Sequence, residues 1–413
     1  MAAGKKSRAR SGTLSRIETD ASHHLTGPFM PQTPLEASPI DKPKRSNGVV
    51  DAVPQSGGLW HDIKTARWVV VPASSLRLLL IPIILHINWI LFTPLIMSHP
   101  PSSPFAPLLF ISHPTPSPTD DKTDPRYRKG PLDLVFIAYY IIFWSFVRQV
   151  IMLRVFPPVA RYFGIHKHAK IERFGEQGYA MVYFAFLGFW GYRIMGQLPT
   201  WWYNTSQFWI DYPHWQMKPE LKRYYLMQAA YWCQQLIVLI LKLEKPRKDY
   251  NELVAHHFVT LWLVGWSYGI NLTYIGNAVY MSMDIPDTFL ALSKLINYIQ
   301  WNRLKIVTFV FFLGIWTYFR HYLNLVMLWS VYKEFDLIPD SARHFWPLEG
   351  VWMVWWMKWQ IFFPIFLLQL LNLFWYFFIL RIGYRALQDT ATVTDDRSDD
   401  EDDDDDGPED KND

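Results

Sequence analysis

Four ionisable side chains stand out in apolar surroundings: His256, His257, Asp284 and Asp287. Both pairs fall in stretches with the length and composition of membrane spans, where a charge is costly unless it is paired or watered. His256 precedes the uncharged 270–275 connection by about 15 residues, or roughly 22 Å of helix, and Asp284 and Asp287 follow it by roughly 15 and 20 Å. All four therefore lie at similar depth in two adjacent antiparallel helices. Asp284 and Asp287 are related as i and i+3 and share a face. His256 and His257 are about 100° apart, so only one can meet the carboxylates squarely. Pro286, between the aspartates, removes a helix hydrogen bond and favours a local kink.

Three roles suit this set. The four groups could simply join two helices, although small residues and neutral hydrogen bonds do that more often. They could hold zinc or iron, but the HxxxH, HxxHH and HExxH patterns of metal enzymes are absent. Or an imidazole oriented by a carboxylate could take a proton from an amine or alcohol, or itself attack an activated acyl group.

The elements that must position these groups are membrane helices. The chain has 413 residues, half of them hydrophobic, gathered in runs of about 20. That pattern excludes an ordinary soluble enzyme. Cys233 is the only cysteine, which excludes a disulfide scaffold and thiolate metal clusters. Eight spans are predicted, at 76–97, 132–156, 178–198, 222–243, 252–271, 274–296, 305–331 and 352–381. The fold class is thus an all-α polytopic membrane protein.

The formal net charge of +3 conceals a division: residues 389–413 carry 14 acidic and 2 basic side chains, leaving 23 acidic and 38 basic ones elsewhere. A basic body of this kind owes its charge to cytoplasmic loops and gives no reason to expect nucleic acid. Arg154, Arg161, Lys167, Lys170 and Arg173 mark one such loop, Lys242, Lys245, Arg247 and Lys248 a second, and Arg303 with Lys305 a third. Their alternation with the uncharged 270–275 turn and the acid-leaning 332–351 loop puts both termini in the cytoplasm. Arg126, Arg128 and Lys129 dissent from a lumenal 98–131 loop, whose prolines predict an extended course. No secretory signal peptide is expected, since 1–59 is polar and rich in Ser and Pro. The expected organisation is a disordered cytoplasmic region over 1–75, a first span with its Pro-rich loop over 76–131, a catalytic membrane domain over 132–388 and an acidic disordered tail over 389–413. Asn204, in Asn204-Thr205-Ser206, is a candidate lumenal glycosylation site; the second sequon, at Asn271, lies too near the membrane.

The segments His256-His257-Phe258-Val259-Thr260, Ser267-Tyr268, Asn271, Met283-Asp284-Ile285-Pro286-Asp287, Ser293-Lys294 and Asn297-Tyr298 together resemble the signature of the longevity-assurance ceramide synthases, membrane enzymes of the TLC-domain superfamily. The resemblance covers roughly 130–390 and includes Glu176-Gln177-Gly178-Tyr179 and a Trp209-Ile210-Asp211-Tyr212-Pro213 loop. Met283 stands where animal members usually carry His, and their homeobox-like insertion is missing, so the resemblance is to the fungal branch.

The resemblance implies a helical barrel of six of the eight spans, in the endoplasmic reticulum membrane. It implies transfer of a long or very long fatty acyl group from acyl-CoA to the amine of dihydrosphingosine or phytosphingosine. It implies His256, His257, Asp284 and Asp287 as catalytic residues, and Trp209, Asp211, Tyr268, Asn271, Lys294, Asn297 and Tyr298 at the substrate. It implies no metal and no cofactor beyond the acyl-CoA co-substrate, a small single-pass accessory subunit, a homodimer or a heterodimer with a paralogue, and a phosphorylatable tail. The chemistry agrees: the thioester is already activated, while the ammonium of the base must lose a proton before it attacks. In the tail, Ser398 has Glu401 at +3, as acidophilic kinases require. Acyl length should be set at the lumenal end, in the 332–351 loop and the neighbouring helix ends. The competing reading is a non-enzymatic TLC-domain protein, a lipid sensor or a membrane-insertion accessory; such proteins lose the paired His and Asp.

Overall fold

A computed structural model describes residues 58–116, 124–243, 249–349 and 351–388. Long helices occupy each of the eight stretches expected to span: α1 (Pro72–Ile96), α2 (Leu132–Tyr162, with a π-helical turn at Ile151–Val155), α3 (His168–Met195), α4 (Pro219–Ile240), α5 (Tyr250–Gly269), α6 (Thr273–Ile299), α7 (Asn302–Trp316 continuing through a π-helical turn, Thr317–Leu323, into Asn324–Lys333) and α8 (Met357–Gln388). By length and apolarity, α1, α2, α7 and α8 qualify as membrane-crossing helices. The other four run to 28, 22, 20 and 27 residues and carry more polar side chains, among them those of the site described below.

Local chemistry sets the helix ends. Pro72 opens α1 and Pro219 opens α4, where a missing N–H is harmless and φ is already helical. Asn271 takes a left-handed conformation (φ 61°) in the tight turn from α5 to α6, which Asn tolerates better than most residues. Gly188 in α3 lets that helix lie close on α6: a Cβ there would sit 3.2 Å from Cγ1 of Ile285 and 3.7 Å from Cβ of Asp284.

Two large clusters make up the core. One, around Trp209, Phe208, Met327 and Val331, joins the 196–218 and 334–356 connections to α6, α7 and α8. The other, around Tyr183, Tyr224, Tyr225 and Tyr231, joins α2, α3 and α4. The α1 helix is mostly exposed along Ile84–Leu95 and is held to α2 by the Tyr139 hydroxyl, which donates to the Leu79 carbonyl at 3.1 Å.

Two expectations change. Residues 58–75 belong to the fold: a helical turn spans Leu59–Lys64, Val69 and Val71 are buried, and Gln149 Nε2 donates to the Val69 carbonyl at 3.1 Å. The apolar run there is too short to register as a span, so composition alone left it outside. The 98–131 loop is also more than extended. It contains a turn of helix (Ala106–Leu109) and pairs Pro114–Thr115 with Arg126–Tyr127. Its anchor is Lys222, fully buried, whose Nζ lies 2.7 Å from Asp133 Oδ1 and donates to the carbonyls of Ser112 (2.7 Å) and Arg128 (2.6 Å). Asp133 Oδ2 accepts from the Gly130 amide (2.8 Å) and the Tyr268 hydroxyl (2.7 Å). Two of the loop's basic residues are engaged within the protein: Arg126 pairs with Asp124, and Lys129 donates to the Gly269 carbonyl that ends α5, with burial lowering its pKa. Charges bound in this way carry little topological signal.

Candidate active site

Helices α5 and α6 bring the two histidines and two aspartates to the walls of two adjoining cavities. A largely apolar chamber of about 760 Å³, its open side included, runs from Ile270 and Leu272, at the α5–α6 turn, to Asp284 and Asp287. A larger vestibule of about 1750 Å³, its open mouth included, extends the other way past Lys294 and Tyr298 on α6, Lys242 beyond α4, and Arg173 on α3. Four residues line both: Trp232, His256, Asp287 and Arg320. They form the neck, the wall that the two cavities share.

The imidazoles diverge as their sequence spacing requires. His256 lines chamber and vestibule, whereas His257 lines the vestibule alone. The rings are 5.8 Å apart, and both meet the Trp232 indole edge-on, at 5.5 and 5.7 Å. His257 Nδ1 lies 2.8 Å from the Leu253 carbonyl, an acceptor only, so Nδ1 carries the proton and Nε2 is the lone-pair nitrogen of the neutral ring. His256 Nδ1 is buried without a hydrogen-bond partner among the described residues, and its ring abuts Trp375 at 5.4 Å.

The carboxylates are held by groups other than these imidazoles. Asp284, fully buried, accepts from Gln228 Nε2 through Oδ2 and leaves Oδ1 unpaired. Gln228 is itself fixed by Tyr183, whose hydroxyl donates to its Oε1 at 2.6 Å. Asp287 pairs with Arg320 at 2.7 Å. Arg320 also donates to the Met283 carbonyl and to Asn372 Oδ1, each at 3.0 Å, and lies 4.6 Å from the Trp316 ring centre. A backbone carbonyl, rather than one of the aspartates, sets the tautomer of His257. Among the described residues, no three His, Cys, Asp or Glu side chains converge as a metal-ligand set would.

The remaining candidate residues divide between the two ends. Lys294 and Tyr298 line the vestibule; Asn297 lies between them on α6 and lines neither cavity. Trp209 is fully buried, its indole donating to Ser330 Oγ at 2.8 Å, and Tyr268 is bound to Asp133. Asp211 is exposed at a left-handed position and Asn271 forms the α5–α6 turn. These four stand at the end away from the histidines, outside both cavity walls. Asn204 is exposed, its Oδ1 accepting from Ser206 Oγ at 3.0 Å. Ser398 lies outside the described residues.

Three residues of the site were not singled out from sequence: Arg320, Trp232 and Gln228. Arg320 carried a usable signal, a full charge in the middle of the predicted 305–331 span, of the kind that drew attention to the aspartates. The π-helical turn Thr317–Leu323, which carries it, leaves no such signature in residue types.

Comparison with known proteins places this geometry in a family. A family model described as the TLC domain matches residues 173–381, which include all four candidate catalytic residues and Arg320. The sphingosine N-acyltransferase lac1 of Schizosaccharomyces pombe is 43% identical over 291 residues, covering 70% of this chain and 73% of that protein. The chain belongs to the TLC-domain ceramide synthase family. Ceramide synthase LAG1 of Saccharomyces cerevisiae is 40% identical over 269 residues, 65% of this chain and 64% of its own length. Ceramide synthase 4 of Bos taurus aligns over less, 32% identity across 48% of this chain and 47% of its own. The longer fungal matches agree with the fungal character read from Met283.

Proposed function

We propose that this chain is a sphingosine N-acyltransferase, transferring a long or very long fatty acyl group from acyl-CoA to the amine of dihydrosphingosine or phytosphingosine. One observation carries the reading: an apolar chamber and a more polar vestibule adjoin at a neck lined by His256 and Asp287. A fatty acyl-CoA has the matching form, with an apolar chain on one side of its thioester and a phosphorylated headgroup on the other. The acyl chain lies in the chamber, and the headgroup lies in the vestibule near Lys242 and Lys294. The thioester then rests at the neck.

The nucleophile is the free amine of the sphingoid base. The lone pair on His257 Nε2, or an imidazole nitrogen of His256, takes the ammonium proton. Alternatively His256 attacks first and the amine resolves an acyl-imidazole. Asp284 and Asp287, held in place by Gln228 and Arg320, are the carboxylates that offset imidazolium charge. Because the thioester is activated, no metal or further cofactor is required.

The same reading puts six of the eight helices around the substrate, both termini in the cytoplasm and the chain in the endoplasmic reticulum membrane. A small single-pass subunit and a homo- or heterodimer are its expected partners, and Asn204 and Ser398 its expected modification sites. Asp211, Asn297, Trp209, Tyr268 and Asn271 then act on substrate through the framework rather than by contact. The decisive experiment is a microsomal assay with labelled sphingoid base and acyl-CoA. His256→Ala and His257→Ala should each abolish N-acylation while the protein stays in the membrane. Full activity in both would refute the catalytic assignment.

A further inference from the structure

A helix pair in lipid is joined at least cost by small residues and apolar packing, and α7 and α8 follow that rule on either side of the neck. Phe309, Phe312, Trp316 and Ile379 pack together on the vestibule side, while Phe319, Leu323, Ile361 and Ile365 belong to the large cluster on the chamber side. Between these clusters the two helices share a ladder of hydrogen bonds. The Tyr376 hydroxyl bonds with Thr317 Oγ1 at 2.9 Å, and Asn372 Oδ1 accepts from Arg320 Nη1 at 3.0 Å. Gln369 Nε2 donates to His321 Nδ1 at 2.8 Å, and Gln369 Oε1 accepts from Asn324 Nδ2 at 2.7 Å. Arg320, His321, Asn324, Gln369 and Asn372 are all buried, and an ionisable group at such depth reads as functional by default. The ladder stands at the level of the neck: on α8, Asn372 falls between Leu368, which lines the chamber, and Trp375, which lines the vestibule. On α7 its rungs follow the π-helical turn Thr317–Leu323, a form that occurs mostly as single turns, often at functional sites. From that turn Arg320 reaches across to α6, where it pairs with Asp287 at 2.7 Å and donates to the Met283 carbonyl at 3.0 Å. Asn372 reaches the same residue, its Nδ2 lying 3.9 Å from Met283 Sδ.

We infer that Asn372 and Gln369 are positioning residues for acyl transfer: from α8 they fix the π-helical turn of α7 and so aim the Arg320 guanidinium at Asp287 in the neck. The inference rests on the function proposed above and extends it to a helix that carries none of the four candidate catalytic residues. A guanidinium is a planar fork. With Nη1 held by Asn372, Nη2 meets Asp287 in one orientation. Gln369 acts one turn away. It ties His321, inside the π-helical turn, to Asn324, just beyond it, which fixes the turn relative to the regular helix that follows. Asp287 lines both cavities and its side chain is 20% exposed, so the last link of the chain is at the cavity wall. A ladder that only joined two helices would have no need to end on the cation that holds this carboxylate.

The test is Asn372→Leu in the full-length membrane protein, with Gln369→Leu as a second variant that leaves the Arg320–Asn372 bond in place. Each should lower kcat per folded molecule by about 10–100-fold, the scale that a misplaced reacting group costs, with KM for acyl-CoA and for the sphingoid base within about twofold of wild type. The discriminating readout is coupling to Arg320. Arg320→Lys keeps the charge but loses the fork that spans Asn372 and Asp287. Adding either Leu substitution to Arg320→Lys should therefore change kcat by less than about twofold, whereas a role in helix packing alone would multiply the losses. Wild-type kcat in both Leu variants, or multiplied losses in the Arg320→Lys background, overturns the inference, and ceramide synthesis by the wild type then leaves the function intact. A wild type inactive on every acyl-CoA and sphingoid base overturns the function, and the positioning role with it.

Discussion

Gly276 is the residue at which one added methyl group should alter the chamber most. It lies one turn into α6 and, with Tyr225 and Ser267, lines the apolar cavity. A Cβ at this position would fall 1.7 Å from the Tyr225 hydroxyl oxygen, 2.6 Å from Cζ and 2.9 Å from Cε2. To restore a 3.0 Å separation from 1.7 Å, the phenol must retreat by at least about 1.3 Å. It has little freedom to do so: Tyr225 is 1% exposed, its hydroxyl is hydrogen-bonded to Ser267, and its ring is 5.2 Å from Tyr280 and 5.6 Å from Tyr268. Overpacking of this kind costs about 1–3 kcal/mol, and the loss of the Ser267 bond adds roughly 0.5–1.5. Gly276→Ala should therefore lower the detergent thermal midpoint and push Tyr225 into the chamber. In a microsomal assay with a graded acyl-CoA series, activity on the longest chains should fall more than on shorter ones. Tyr225→Phe should not rescue it, since Cζ and Cε2 remain within 3.0 Å, whereas Tyr225→Leu in the Gly276→Ala background should. Unaltered stability and an unaltered acyl profile in Gly276→Ala would refute the close packing and the chamber's role together.

Other consequences can be measured separately. Lys222→Met leaves the Asp133 carboxylate buried without its cation and should destabilise the protein by about 3–5 kcal/mol, read as a lower thermal midpoint with the 98–131 loop opened to protease. His214 is stacked on Tyr274 at 4.0 Å, and burial lowers its pKa from 6.5 to about 4, opposed by the Phe208 carbonyl and then by Asp211. The folded state therefore favours neutral His214, so its stability is complete above pH 6.5 and is lost as pH falls toward 4, by up to roughly 3 kcal/mol; His214→Phe should flatten that acid limb of a thermal-midpoint profile. If His256 forms an acyl-imidazole, initial rates with both substrates varied should give parallel double-reciprocal lines, and intersecting lines would leave it the role of base. Truncation after Leu387, or Ser398→Ala, should change rate or abundance modestly and leave the acyl profile unchanged, as quantitative lipid analysis would show.

The sequence was most legible where physics leaves few options. A run of about 20 apolar residues must become a helix in a bilayer, so α1 could be located to within a few residues and α8 to within two turns. An ionisable group in such a run demands a reason, so His256, His257, Asp284 and Asp287 could be grouped before their neighbours were known. Their partners were not legible, because a hydrogen bond to Leu253 or Gln228 depends on rotamer and helix rotation rather than on residue type. The length determinant shows the same limit. The sequence pointed to the 332–351 loop and the neighbouring helix ends, and none of the loop's described residues lines the chamber; Phe335, Ile338 and Ala342 pack behind it, in the cluster that contains Ile270 and Leu272. The loop therefore supports the chamber floor, while Ile270, Leu272 and Ile275 form it. A change in the loop can reach the acyl chain only by moving those three residues. Substitutions at Ile270, Leu272 or Ile275 should consequently shift acyl preference more per added methylene than substitutions at Phe335, Ile338 or Ala342.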